Sequence, residues 1–266
     1  MEFANLAQVL PAQARRLGDA TALRFKRLGL YHDLSWNTYH RLAERLAAAL
    51  VASGVQPGDR VGLLAENRYE WLITDMAILM AGGVTVSPHA PLTARQVHYQ
   101  FDHAEVVWAF VSDREQAAKL ASVRDELPRL RGVVSFDTVA GLPSWHGFAE
   151  EGRRALPEVR AELRRRRESL TGDDLAAVIY TSGTTGNPKG VMLTHANLLS
   201  NTVSGLVRKP HDPDDVILSW LPYTHIYART VDHYAALVGG VALALAVSAE
   251  TLVENLAETQ PTHMAS

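Results

Sequence analysis

Residues 39–65, YHRLAERLAAALVASGVQPGDRVGLLA, place a helix, a turn and a strand in one short stretch of sequence. Apolar residues recur at the spacing of a single helical face, and Gly54 follows the last of them, where a helix would end. A Pro-Gly-Asp turn signal occupies 57–59, and the apolar stretch 60–65 after it is typical of a short buried strand. The segment therefore predicts a helix that leads directly into a strand.

The same order recurs along the chain. The apolar spacing predicts a helix over residues 69–80, followed by a glycine pair at 82–83 and a short strand at 84–86. Capping-box spacing predicts helix starts at Thr93 and Ser112. Further strands are predicted at 106–111 and 133–136. Helices that alternate with short apolar strands favour an α/β fold with mostly parallel sheets flanked by helices.

Two segments share one pattern, which suggests two similar α/β subdomains. Residues 80–87, MAGGVTVS, and 237–244, LVGGVALA, both have a helix end, a glycine pair and a buried strand. Between them, residues 150–169 contain seven arginines and five glutamates, which favours a solvated linker helix over a phosphate or nucleic-acid patch. We therefore expect a first subdomain at 1–169, ending in this linker helix, and the start of a second at 170–266.

Composition excludes several functional classes. The 266 residues carry a formal net charge of −3, which argues against an electrostatic nucleic-acid binder. There is no cysteine, so disulfides, thiolate nucleophiles and cysteine-ligated metals are ruled out. The longest apolar run, 235–247, is too short to span a bilayer and contains two glycines. We expect a cytoplasmic protein; peripheral membrane contact and oligomeric state stay open.

Residues 175–195, LAAVIYTSGTTGNPKGVMLTH, place a buried strand before a loop rich in hydroxyl groups and glycine. Glycines let backbone N–H groups turn toward an anion, hydroxyls add donors, and Lys189 adds a positive charge suited to phosphate. The spacing excludes a Walker A loop, because Gly190 follows Lys189 where Ser or Thr would stand. Neither a zinc-protease His-Glu-x-x-His pattern nor a hydrolase Gly-x-Ser-x-Gly elbow is present. The loop is predicted to bind phosphate groups.

The stretch 180–190, YTSGTTGNPKG, resembles the signature loop of the adenylate-forming superfamily, which includes acyl-CoA and aryl-CoA synthetases. Its continuation at 191–198 also matches. Segments 54–61, 66–71 and 221–229 resemble family segments in the expected order, and the last is closest to the long-chain fatty acyl-CoA synthetases. The resemblance covers nearly the whole chain and implies the N-terminal part of such an enzyme.

Enzymes of this family join a carboxylate to AMP with release of pyrophosphate, and a thiol, usually that of coenzyme A, then displaces AMP. The resemblance therefore implies ATP and Mg²⁺ as cofactors, with a fatty acid and coenzyme A as the other substrates. It implies phosphate-binding roles for Thr181, Ser182, Gly183, Thr184, Thr185, Gly186 and Lys189. Lys189 would also neutralise the departing pyrophosphate, and the Thr181 hydroxyl is the candidate ligand of Mg²⁺.

The segment 221–229 supplies the candidate residues for the acyl substrate. The resemblance places His225 near the α-phosphate and the reacting carboxylate, where an imidazole can donate a hydrogen bond to developing charge. Tyr227 and Arg229 are candidates for shaping the acyl tunnel, although an arginine in a helix is equally expected to form a surface ion pair. His225 and Lys189 are thus the predicted catalytic residues.

The family's later elements are not found in the sequence: the adenine-binding segment with its Mg²⁺-binding glutamate, the ribose-binding aspartate, and the C-terminal domain with its catalytic lysine. We therefore expect an N-terminal fragment that is poorly active or inactive alone. Two alternatives stay open: a non-catalytic module that binds a nucleotide or an acyl group, and an adenylating ligase for an aryl or amino acid.

Overall fold

The computed structural model of the protein describes residues 3–181 and 188–266. The described strands are β1 (Thr21–Arg27), β2 (Leu30–Ser35), β3 (Arg60–Leu64), β4 (Val84–Val86), β5 (Trp108–Val111), β6 (Gly132–Ser135), β7 (Leu175–Thr181), β8 (Lys189–Thr194), β9 (Val216–Ser219), β10 (Ala242–Leu245) and β11 (His263–Met264). The described helices are α1 (Val9–Leu17), α2 (Trp36–Ala52), α3 (Tyr69–Met80), α4 (Ala94–His103), α5 (Arg114–Ala121), α6 (Trp145–Ser169), α7 (His195–Arg208), α8 (Ile226–Ala228), α9 (Ala235–Gly239) and α10 (Leu252–Thr259). A π-helix, Arg229–Tyr234, joins α8 to α9.

These strands form two sheets. The larger sheet has the order β6-β5-β3-β4-β7-β8, and all its neighbours are parallel except the antiparallel pair β7 and β8. The smaller sheet has the order β11-β9-β10-β1-β2, with β1 and β2 as its antiparallel pair. Helices flank both sheets. The α/β class with two mostly parallel sheets is thereby confirmed.

Each sheet takes strands from both sides of residue 169. β7 and β8 follow that residue but extend the sheet that begins with β3, whereas β1 and β2 precede it and pair with β10. One apolar cluster also includes residues from both sheets, among them Leu23, Val61 and Leu243. The sheets therefore do not divide where the two subdomains are predicted to divide, because sheet membership depends on pairing between distant strands.

Helix α3 lies in the interior and matches the helix predicted at 69–80. It is buried on nearly all sides, as expected for a helix that is apolar all round. Gly82 has a φ of +81°, a conformation that favours glycine, and it turns the chain from α3 toward β4. The predicted sequence of helix, glycine pair and strand is therefore confirmed here.

Helix α6 contains the charged stretch predicted as a solvated linker. Its exposed side carries ion pairs one turn apart, such as Arg153–Glu150 and Arg164–Glu168. Its other side packs against α2, and Arg166 is buried, where its guanidinium donates to the carbonyls of Val55 and Ala81 at 2.7 and 3.0 Å. Only one face of the helix is therefore exposed to solvent.

The two predicted capping boxes have different outcomes. Thr93 and Gln96 form one at the start of α4, as expected. The prediction at Ser112 is wrong, because Asp113 caps α5: its side-chain carboxylate accepts from the backbone N–H of Gln116 at 3.0 Å. The Ser112 N–H still donates to the Leu64 carbonyl, so Ser112 belongs to the end of the sheet. Within the described ranges, we find no helix with the length and apolar character needed to cross a bilayer.

Candidate functional site

The predicted phosphate loop connects β7 to β8 at the edge of the larger sheet. Thr181, the last residue of β7, pairs with Lys189, the first residue of β8, and both side chains are exposed. Thr181 and Lys189 therefore lie opposite each other where the loop leaves the sheet. The other predicted phosphate-binding residues lie outside the described part of the chain: Ser182, Gly183, Thr184, Thr185 and Gly186.

A cleft of about 240 Å³ lies between the two sheets, at the carboxyl ends of their parallel strands. One wall comes from the residues that follow β3 and β4, and the other from the residues that follow β9 and β10. His89 on one wall lies 3.0 Å from the Thr224 hydroxyl on the other, measured from the imidazole Nδ1. Ligands of open α/β sheets bind at the carboxyl ends of the strands, so this cleft is a candidate substrate site.

Asn67 ties the segment 221–229 to the larger sheet. Its side-chain amide donates to the Leu221 carbonyl at 2.7 Å, and its side-chain oxygen accepts from the Tyr223 N–H at 3.0 Å. Two segments that resembled the family separately, 66–71 and 221–229, are thereby brought into contact. The sequence alone assigns no role to Asn67 or His89, because neighbouring residues in the sequence do not indicate which distant group a side chain will bind.

His225 caps the short helix α8. Its Nδ1 accepts from the Tyr227 N–H at 3.2 Å, which requires an unprotonated Nδ1 and leaves the proton of a neutral ring on Nε2. The side chain is exposed, and Tyr227 is 45% exposed. The imidazole can therefore donate one hydrogen bond from Nε2, as its predicted role requires. No hydrogen bond or ion pair between described residues joins His225 to Thr181 or Lys189.

Arg229 lies in the protein interior. It is fully buried, its guanidinium forms an ion pair with Asp75 of α3, and its Nε donates to the Tyr234 hydroxyl at 2.9 Å. Asp75 also accepts from the hydroxyls of Thr85 and Tyr234, at 2.7 and 2.9 Å. The surface ion pair considered for Arg229 is therefore wrong, because its partner lies on a buried helix.

Burial alone would raise the pKa of Asp75. The positive charge of Arg229, the neighbouring imidazole of His233 and the hydrogen bond from Thr85 outweigh that effect and lower the pKa to about 2. Burial lowers the pKa of His233, although the neighbouring Asp75 acts in the opposite direction. The ion pair between Asp75 and Arg229 fixes the helical segment that follows His225. The sequence alone assigns no role to Asp75.

The sequence and the fold of this chain are similar to those of known proteins. The family model described as AMP-binding enzyme matches residues 10–266. The human long-chain-fatty-acid–CoA ligase ACSBG2 is 33% identical over 259 residues, which cover 93% of this chain and 38% of that protein. FadD15 of Mycobacterium tuberculosis, another long-chain-fatty-acid–CoA ligase, is 32% identical over 240 residues, covering 90% and 39%.

The fold is similar to that of a solved N-terminal domain of FACL13 from Mycobacterium tuberculosis, with a TM-score of 0.79 and 22% identity over 99% of this chain and 63% of that one. The chain spans well under half the length of the two ligases that it matches. Since the family model covers nearly all of the sequence, the resemblance of residues 180–190 is confirmed, and the chain belongs to the AMP-binding enzyme family.

Proposed function

We propose that this chain carries the phosphate loop and part of the acyl site of an AMP-forming acyl-CoA synthetase that activates a long-chain fatty acid. The observation that carries the proposal is the pairing of Thr181 with Lys189 where the signature loop leaves the sheet. The names of its relatives support the fatty acid as substrate.

In this proposal the hairpin of β7 and β8 positions ATP. Lys189 contacts the β- and γ-phosphates and neutralises pyrophosphate as it departs, because its exposed ammonium lies at the base of the loop. Thr181, together with the loop residues 182–186, donates further hydrogen bonds to the phosphates. Positioned donors and cations matter here because the reaction joins two anions.

The segment after β9 receives the carboxylate. His225 donates from Nε2 to the carboxylate or to the charge that develops on it, since its Nδ1 is already bonded to the backbone. Tyr227 and Arg229 shape the acyl tunnel. Tyr227 does so directly, because it is exposed, whereas Arg229 acts from within the fold through its bond to Asp75.

Magnesium and coenzyme A belong to the proposal as well. Within residues 3–181 and 188–266, no group of three or more His, Asp or Glu side chains is arranged to hold a metal. In this proposal Mg²⁺ would enter with ATP, and the Thr181 hydroxyl would be its ligand from this chain. Coenzyme A as co-substrate and a cytoplasmic location remain predictions.

We further propose that the 266-residue chain turns over poorly by itself, which the short match to its relatives supports. Isothermal titration calorimetry with Mg·ATP, and pyrophosphate release with coenzyme A and a panel of fatty, aryl and amino acids, separate the possibilities. ATP binding without pyrophosphate release would support the fragment. Efficient release with an aryl or amino acid would replace the fatty acid as substrate, and efficient release with a fatty acid would contradict poor turnover.

The Lys189→Ala variant tests the loop directly. Loss of one lysine–phosphate contact should weaken Mg·ATP binding about tenfold, the equivalent of about 1.4 kcal/mol. Lys209→Ala is the matched control, because Lys209 is also exposed but lies at the end of α7. Equal affinity in Lys189→Ala and the wild type, or equal loss in both variants, would contradict the assignment.

A further inference from the structure

Helix α4 contacts both ends of the signature loop. The Tyr99 hydroxyl donates to the carbonyl of Pro188, the residue directly before β8, at 3.1 Å. His103 Nδ1 lies 2.7 Å from the hydroxyl of Tyr180, the residue directly before Thr181. One helix therefore bonds to the chain just before the loop and just after it.

The protons of this cluster follow from its partners. The Tyr180 hydroxyl has one proton and donates it to the Gln100 carbonyl at 3.1 Å. His103 must then donate from Nδ1 to the Tyr180 oxygen, which makes that oxygen both a donor and an acceptor. Burial raises the pKa of Tyr180 to about 12, so the hydroxyl stays protonated near neutral pH. All three bonds are thus satisfied in one protonation state.

Helix α4 is itself firmly seated on the larger sheet. The Phe101 ring lies against Gly62 of β3, where an added Cβ would come within 2.4 Å of the ring. Phe101 and Val97 are buried in the apolar cluster on this side of the sheet. Tyr99 and His103, four residues apart, share another face of the helix, and their rings stack with centroids 5.6 Å apart. The two donors therefore project from a fixed support.

The hairpin has room for the Tyr180 ring because its cross-strand partner is Gly190. A Cβ on Gly190 would lie 3.3 Å from the Tyr180 ring and 3.0 Å from Val178. The last glycine of the signature stretch thus lets the aromatic ring lie across the hairpin and present its hydroxyl to α4. This gives that glycine a structural reason that is separate from phosphate binding.

We propose that Tyr99 and His103 are positioning residues that hold the two ends of the signature loop, through Pro188 and Tyr180, at the separation needed to bind a triphosphate. The inference rests on the proposed function, since it assumes that the loop binds ATP. Neither side chain needs to touch the nucleotide. Their effect reaches the phosphates through the ends of β7 and β8, where Thr181 and Lys189 stand.

Four variants of the full 266-residue chain test this inference. Tyr99→Phe removes one hydroxyl and its bond to Pro188. His103→Leu removes the donor to Tyr180, whereas His103→Asn restores an N–H donor near the position of Nδ1. Tyr31→Phe is the matched control, because the Tyr31 hydroxyl also donates to a backbone carbonyl, that of Leu245, at the same 3.1 Å, but in the other sheet.

Two measurements are made on each variant: amide hydrogen exchange of the β7 and β8 peptides, and Mg·ATP affinity by calorimetry. We expect exchange in these peptides to become about fivefold faster in Tyr99→Phe and His103→Leu, and affinity to fall by about the same factor, as for one lost hydrogen bond. His103→Asn should restore most of the exchange protection and of the Mg·ATP affinity. Tyr31→Phe should change neither the exchange rate nor the affinity. Global melting temperatures show whether a variant is unfolded.

The outcomes separate this inference from the proposed function. Equal exchange in Tyr99→Phe, His103→Leu and Tyr31→Phe would overturn the inference, whatever happens to affinity. Faster exchange with unchanged Mg·ATP affinity would also overturn it, because the loop ends would then be held without consequence for binding. If the wild type binds no Mg·ATP, the proposed function fails for this chain, and faster exchange would still show that α4 holds the hairpin.

Discussion

Replacing Gly152 with alanine should destabilise the protein, although Gly152 lies inside a helix. Gly152 belongs to α6 and faces α2 so closely that an added Cβ would lie 1.7 Å from the Arg45 carbonyl oxygen and 2.9 Å from the Ala49 nitrogen. Both obstacles are backbone atoms, so neither can move by a side-chain rotation. The two helices would have to separate along a buried contact.

Two effects of opposite sign determine how much Gly152→Ala changes the free energy of unfolding. Alanine is favoured over glycine inside a helix by about 1 kcal/mol. Overpacking typically costs about 1–3 kcal/mol, and we take the upper end because backbone blocks the methyl group. The net loss is then about 2 kcal/mol, which for a chain of this size lowers the melting temperature by about 4–8 °C.

Urea unfolding followed by far-UV circular dichroism, together with thermal melting, measures the effect. Gly205→Ala is the matched control, because Gly205 lies inside α7 and an added Cβ would meet no heavy atom within 4 Å. The free energy of unfolding of Gly205→Ala should rise by up to about 1 kcal/mol. If Gly152→Ala were also stabilised, α6 would be free to move away from α2, and the solvated linker helix would be the better description.

Three further predictions concern buried ionisable groups. Asp75→Asn leaves Arg229 charged without its buried partner and should cost about 3–5 kcal/mol in urea unfolding, whereas Asp75→Asn/Arg229→Met should recover part of that loss. Burial lowers the pKa of His195 to about 4, and its Nδ1 accepts from the Leu6 N–H. The unfolded chain therefore binds a proton at a higher pH than the folded chain does, so the free energy of unfolding decreases as the pH falls from about 6.5 to 4. His195→Gln should flatten that decline in urea unfolding measured from pH 7 to 4; an unchanged slope would contradict the burial of a neutral imidazole. Asp232 acts in the opposite direction, because burial raises its pKa to about 6. The folded state is stabilised as this carboxyl is protonated between pH 6 and 4. Asp232→Asn should remove that stabilisation in the same urea unfolding series.

Local elements could be predicted from the sequence because their signals lie within a few residues. The helix at 69–80 was marked by its apolar spacing and by a glycine pair, and the structure has the same bounds. The start of α5 shows the limit of such signals, since Ser112 and Asp113 are both good capping residues. Asp113 is the cap because the Ser112 N–H is still engaged with Leu64 in the sheet, which is a contact between distant strands.

The environment of Arg229 could have been inferred in part. Asp75 stands in an apolar helix, and Arg229 stands beside the apolar segment 235–247. A buried charge requires a partner, so an acidic and a basic residue that each lie among apolar neighbours are expected to pair. What the sequence could not give is the distance between two positions that are 154 residues apart. A surface ion pair is the competing expectation from sequence, because an arginine in a helix is usually exposed.

Two of the family segments, 66–71 and 221–229, meet at the cleft between the sheets, and part of the cause is topological. Both segments begin just beyond the carboxyl end of a strand, and parallel neighbours in one sheet turn those ends to the same edge. That rule predicts neighbours within each sheet, but it does not bring two separate sheets together. Here Asn67 bonds across the gap to the backbone of Leu221 and Tyr223, and His89 bonds to Thr224. These contacts, more than the motifs themselves, place the segment of His225 against the sheet that carries Lys189.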